Sequence, residues 1–139
     1  MAYLKFHFAP TQSQTAEGRQ KAKKLGVTGE QMALRYLEDQ GYVVIEHNYR
    51  HGHKEVDIIA LDSGELVFIE VKTRTSEEVV VAEQAVDHQK RQNIIRVADS
   101  YVCRHHRTEP VRFDIITVVS NGKEAAIKHI KNAFNTMQY

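Results

Sequence analysis

One cysteine, Cys103, stands alone among 139 residues, which excludes an internal disulfide framework and a multi-cysteine zinc site. Its place in an apolar-periodic helical stretch reads as simple packing. Long apolar runs are missing as well. Nothing approaches the roughly eighteen consecutive apolar residues of a membrane span, and the N-terminus is a polar tract ending in Lys23-Lys24 rather than a charged, apolar, small-residue signal pattern. The expectation is a cytoplasmic protein with no membrane partner. Charge of one sign is not in excess: 19 Lys and Arg against 18 Asp and Glu leave a net +1, so overall charge does not announce a nucleic-acid binder. Neither G-x-G-x-x-G nor G-x-x-x-x-G-K-[ST] occurs around Gly29 or Gly52, so a P-loop is excluded. No H-E-x-x-H appears, and His47, His51, His53 and the pair His105-His106 read as exposed loop histidines rather than zinc ligands. No arranged Ser-His-Asp or Cys-His signature and no internal repeat is visible.

What is present suits one soluble domain with a real core: 42% hydrophobic and 27% charged residues. Residues 1–25 carry five basic groups (Lys5, Arg19, Lys21, Lys23, Lys24) and one acid (Glu17), and the remainder holds 14 basic against 17 acidic groups. We read 1–25 as a basic, loosely ordered arm, either solvated or touching phosphate, and 26–139 as the domain. Thr28 followed by Gln31 predicts a capping box opening a helix through Asp39, which Gly41 ends. Strands are predicted at Tyr42 to Asn48, Glu55 to Leu61 and Leu66 to Thr73, then a helix from about Ala82 to Arg104, and a strand from Val111 to Val119 after Pro110. Asn121-Gly122 reads as a turn and Ala125 to Ile130 as an edge strand. The order α-β-β-β-α-β implies an α/β fold: a mixed sheet flanked by helices, with the long helix crossing between parallel third and fourth strands. Near-continuous apolar runs at Val56 to Leu61 and Leu66 to Val71 predict strands buried on both faces.

Within those runs only Asp57 and Glu70 are ionisable, and unpaired buried carboxylates are costly. If Ser63-Gly64 is a two-residue hairpin loop, Asp62 faces Glu65, and counting back brings Asp57 opposite Glu70 in a non-hydrogen-bonded pair, Cβ atoms about 4.5–5.5 Å apart. A three-residue loop shifts the register and puts the two acids on opposite faces. Facing carboxylates share a proton or bind a cation, and hard oxygen ligands suit Mg²⁺ or Mn²⁺. Lys72, two residues on, shares the face of Glu70; the competing reading gives it an ordinary cross-strand ion pair with Glu55. Glu30 lies on the stripe of Ala33, Leu34 and Leu37, either aimed at the strand acids or placed by the helix dipole. Lys90 interrupts the second helix's stripe between Val86 and Ile94, aimed at the site or snorkelling. Gln84 is a weaker candidate.

Glu30 on a first helix, Asp57 on a strand and Glu70-Val71-Lys72 on the next resemble the PD-(D/E)XK nuclease superfamily. More closely, the chain resembles the YraN family of uncharacterised bacterial proteins, UPF0102. The matching stretches are Gly29-Glu30 with Ala33 and Tyr36-Leu37, Gly41-Tyr42, Asn48-Tyr49-Arg50, Glu55 to Ala60, Val67 to Arg74, Ala85-Val86 with Lys90, Arg112-Phe113-Asp114 and Asn132-Ala133-Phe134. Two departures stand out: Lys54 where the family usually has Gly before E-[IV]-D, and no proline before Asp57. The resemblance implies a restriction-endonuclease-like core and a metal-dependent DNA endonuclease, acting on branched or repair and recombination intermediates. It implies that Asp57, Glu70 and the Val71 backbone carbonyl hold Mg²⁺ or Mn²⁺, that Glu30 binds a second ion or a metal-bound water, and that Lys72 orients or deprotonates the attacking water. DNA is the implied partner, with a homodimer and repair or recombination proteins as further candidates. The alternatives are a nucleic-acid-binding module that keeps this fold without efficient cleavage, and a purely structural interaction protein, for which the buried acids are an unexplained cost.

Overall fold

Among the described residues, strand-forming stretches at six places join into a single sheet. The computed structural model describes residues 2–7, 29–75, 86–120 and 123–136, with 2–7 described as backbone. The strands are β1 (Ala2–His7), β2 (Val43–His51), β3 (Lys54–Asp62), β4 (Glu65–Thr75), β5 (Val111–Ser120) and β6 (Glu124–Phe134), in the order β1-β6-β5-β4-β3-β2. β4 and β5 run parallel, and the other neighbours are antiparallel. Helix α1 covers 29–39, and α2 (His88–Arg104) is the crossover between β4 and β5. This is the expected mixed sheet with an α-β-β-β-α-β core.

Each sheet face takes one helix because the central strands carry apolar residues at odd and even positions alike. On one side Ala33, Tyr36 and Leu37 of α1 pack over Ile58, Ala60, Val67, Ile69, Ile116 and Val118. On the other, Ile94, Val97, Ala98 and Tyr101 of α2 cover Ile59, Leu66, Phe68, Phe113 and Ile115. Helix α1 ends as expected at Gly41, whose φ of +87° sits where an L side chain is disfavoured. The Gly41 N–H donates to the Glu38 carbonyl and the Tyr42 N–H to the Leu37 carbonyl, a Schellman cap. Asp87 caps α2 by accepting from the Lys90 N–H at 2.8 Å, so this helix starts at His88. The expected start near Ala82, the Asn121-Gly122 turn and Thr28 lie outside the described residues.

Three expectations need correction. The tail strand extends to Phe134 and is interior, because β1 pairs with its outer side from Ala2↔His129 to His7↔Glu124. Leu4 and Phe6 alternating with Lys5 and His7 is a strand pattern, and it gives the first residues of the expected arm a regular place in the sheet. Cys103 is exposed rather than packed: the buried stripe of α2 is Ile94, Val97, Ala98 and Tyr101, and two residues beyond Tyr101 the helix has turned to solvent.

A buried polar network runs from the β3–β4 turn across β5 to β6. Arg112 donates from Nε and Nη2 to Asp114 at 2.9 Å each, from Nη2 to the Tyr42 hydroxyl at 2.8 Å, and from Nη1 to Asp62 at 2.9 Å and Glu65 at 3.1 Å. Asp114, fully buried, also bonds His129 Nε2 at 2.7 Å and accepts from the Asn132 N–H at 3.0 Å. His129 Nδ1 lies 3.0 Å from the Tyr36 hydroxyl. These partners hold Asp114 below the usual carboxylate range, against its burial.

Candidate active site

The β3–β4 turn decides where the two strand acids meet. Ser63 and Gly64 have φ of +50° and +86°, the type I′ geometry that suits strand twist, and the register runs from Asp62↔Glu65 to Ile58↔Ile69. The next pair is Asp57 with Glu70, and there the ladder stops. Asp57 Oδ2 accepts the Val71 N–H at 2.7 Å, so a carboxylate takes the place of a strand carbonyl and the strands part around it. A strand residue's N–H and C=O point to the same edge, which turns the Val71 carbonyl toward the same opening.

Glu70 is 3% exposed. Its Oε1 lies 3.4 Å from Lys72 Nζ and 3.6 Å from Lys90 Nζ, whereas its Oε2 is buried without a hydrogen-bond partner. Burial, followed by the charge of Asp57, pushes the Glu70 carboxyl up to about 7 in spite of the two ammoniums. Asp57 is raised as well, by burial, with the Val71 N–H and a hydrogen bond from Glu70 pulling the other way. Burial raises both carboxyls, and the charge of Asp57 adds to the rise at Glu70 while the contact with Glu70 lowers Asp57, the asymmetry of two acids that compete for one proton.

Glu30 joins from α1. Its carboxyl is raised by partial burial and then by Asp57, and the Asn48 side-chain amide opposes this by hydrogen bonding to it. Gly29 brings the start of α1 against β4, where a Cβ would collide with Thr73 Oγ1. The competing ion pair between Lys72 and Glu55 does not form: Glu55 accepts from Arg50 Nε at 2.8 Å across β2 and β3. The α2 helix directs Lys90 to Glu70 rather than letting it snorkel. Gln84 lies outside the described residues. His47, His51, His53, His105 and His106 are exposed; His51 Nδ1 sits 3.1 Å from Ser100 Oγ and His105 stacks on Tyr101 at 4.3 Å.

Asn48 stands in a matching stretch, but the sequence assigns it no role at the site. It adopts φ +51° in the middle of β2, in register opposite Asp57 between the pairs His47↔Ile58 and Tyr49↔Val56. Asn is the residue besides Gly that tolerates this left-handed conformation best, but an Asn within a strand pattern carries no other signal. Asp57, Glu70 with its unpartnered oxygen, and the Val71 carbonyl are a hard oxygen set that could hold Mg²⁺ or Mn²⁺. Among the described residues no three His, Cys, Asp or Glu side chains group as a metal set by themselves, so the carbonyl and water must complete any coordination.

The sequence model described as uncharacterised protein family UPF0102 matches residues 29–118, a span that holds every described site residue. A UPF0102 protein of Bacteroides thetaiotaomicron is 45% identical over 111 residues, covering 80% of this chain and 92% of that protein. One from Chlorobium phaeobacteroides is 43% identical over 119 residues (81% and 94%), and one from Persephonella marina 40% over 111 residues (79% and 92%). With the family model spanning most of the chain and relatives at this identity along nearly their whole length, the chain belongs to family UPF0102.

Proposed function

We propose that this protein is a metal-dependent endonuclease that hydrolyses phosphodiester bonds in DNA. The observation that carries the reading is the pair Asp57 and Glu70, brought together where β3 and β4 part, with one Glu70 oxygen buried and unpartnered. A fold needing only stability has no use for that arrangement, since a buried carboxylate oxygen with no partner costs roughly 1–3 kcal/mol or more. Asp57, Glu70 and the Val71 carbonyl would hold Mg²⁺ or Mn²⁺, with Glu30 binding a second ion or a metal-bound water. When bound, the metal polarises the scissile phosphate and lowers the pKa of a bound water. Lys72, 3.4 Å from Glu70, orients the attacking water. The water oxygen bonds to phosphorus as the bond to the 3′ oxygen breaks, leaving a 5′-phosphate and a 3′-hydroxyl. Branched repair or recombination intermediates are the substrates to try first.

The second reading, a nucleic-acid-binding module without efficient cleavage, is favoured by the lack of a three-side-chain metal set among the described residues. Cleavage of branched and linear DNA with Mn²⁺ separates the two. Wild type should cut, Glu70→Gln should not, and Lys72→Met should lose rate far more than affinity. Equal cleavage by all three points to a contaminating nuclease and leaves the binding reading.

A further inference from the structure

Two ammoniums crowd one oxygen of Glu70, and they arrive by different routes. Lys72 stands on β4 two residues from Glu70, on the same sheet face. Lys90 reaches in from the first turn of α2, its backbone N–H held by the Asp87 cap and its side chain 34% exposed. In that turn Gln89 is bonded to Asn93 and Arg91 Nε to the Val86 carbonyl, while Lys90 Nζ lies 3.6 Å from Glu70 Oε1.

The charges favour a second task for it. Asp57, Glu70 and Glu30 supply three negative charges when ionised; the two ammoniums and a divalent cation supply four positive ones. One positive charge is left over, and a phosphodiester carries one negative charge. A cation on Glu70 also repels an ammonium 3.6 Å from the same carboxylate. Lys72 shares β4 with Glu70, whereas Lys90 comes from α2 and is the more distant and more exposed of the two, so it is the ammonium with more room to swing away.

We propose that Lys90 is a substrate-phosphate ligand: it neutralises Glu70 when no metal is bound, competes with the incoming cation, and transfers its ammonium to a phosphate of the DNA strand once the cation is in place. This rests on the metal-dependent nuclease reading and adds a residue that grips the substrate to the residues that perform the chemistry.

The test compares wild type, Lys90→Met, Lys90→Gln and Lys90→Arg in three measurements: Mn²⁺ binding without DNA, binding of a short DNA duplex against salt concentration, and cleavage with Mn²⁺ resolved into kcat and KM. Removing the ammonium should tighten Mn²⁺ binding several-fold, because its competitor for Glu70 is gone. The slope of log affinity against log salt should become shallower by about one, as expected when one fewer phosphate is neutralised. KM should rise several-fold with kcat nearly unchanged, and Lys90→Arg should restore the salt slope. Unchanged Mn²⁺ affinity and salt slope in the folded Met and Gln variants, with wild type still cutting, overturns this proposal and leaves the nuclease reading standing. A collapse of kcat at constant KM overturns it too, since Lys90 would then act in the chemistry. Wild type that takes up neither Mn²⁺ nor DNA overturns both.

Discussion

Glu70 lies in a run of β-branched and aromatic residues, and its cost and its use have one origin. The apolar strands that exclude water from it raise its carboxyl to about 7, where an unfolded glutamate would be near 4.5. Between those values the folded chain holds a proton that the unfolded chain has released, so stability falls as pH rises through the window. Asp57, shifted the same way, adds to the effect. In a chelating buffer the melting temperature should therefore decline from about pH 5 to pH 8 and level off above Glu70's titration, the total loss being at most a few kcal/mol. Glu70→Gln should flatten most of that decline, and saturating Mn²⁺ should flatten it in wild type by binding the ionised pair. Thermal melts of the two proteins at matched pH are the measurement. A wild-type decline that Glu70→Gln leaves intact would place its source elsewhere.

At the scale of elements the sequence was most informative where a local rule had a single outcome. Ser63-Gly64 between two apolar runs specified the type I′ turn, that turn set the register, and the register put Asp57 beside Glu70. Gly41 specified the end of α1 in the same way. Other features depend on distant partners and left little trace. Nothing near Asn48 announces its left-handed conformation, and α1's approach to β4 shows only in three dimensions, where Gly29 meets Thr73. That close approach yields its own prediction. Gly29→Ala should destabilise the fold by about 1–3 kcal/mol through overpacking, and should weaken Mn²⁺ binding by lifting Glu30 away from Asp57. Thr73→Ala removes the obstructing hydroxyl, so the double variant should recover much of both losses. Chemical denaturation and Mn²⁺ titration of the double-mutant cycle check this, and simple additivity would show that the two residues do not meet as described.

Across the whole molecule two polar clusters in neighbouring rows of the sheet are built on opposite principles, with Asp114 in register with Ile69, next to Glu70. In one, Asp57 and Glu70 are left under-neutralised; in the other the Arg112 guanidinium and Asp114 carboxylate are satisfied by Tyr42 just before β2, by the β3–β4 turn and by His129 and Asn132 of β6, with His129 in turn meeting Tyr36 of α1. The sequence showed Arg112 and Asp114 as a matching stretch without revealing their role, because their partners Tyr36, Tyr42, Asp62, His129 and Asn132 are scattered along the chain. Opposite environments give opposite pH behaviour. Asp114, held below its ordinary value, contributes stability above the unfolded carboxylate range and loses it as pH falls, so the network sets the acid limit while the Asp57 and Glu70 pair erodes stability on the neutral side. Asp114→Ala should cost about 3–5 kcal/mol, because it removes the two-pronged partner of the buried Arg112 guanidinium and leaves the Asn132 N–H and His129 Nε2 unpaired. Glu65→Ala, which removes one partly exposed partner of the same guanidinium, should cost under about 1 kcal/mol. Urea denaturation with unchanged m-values would measure both, and the Mn²⁺-induced rise in melting temperature should persist in Asp114→Ala wherever it remains folded, because the network and the candidate site share no side chain. Equal costs for the two variants would show that Asp114 is not the centre of the network, and loss of the Mn²⁺ response in a folded Asp114→Ala would show that the two clusters are coupled.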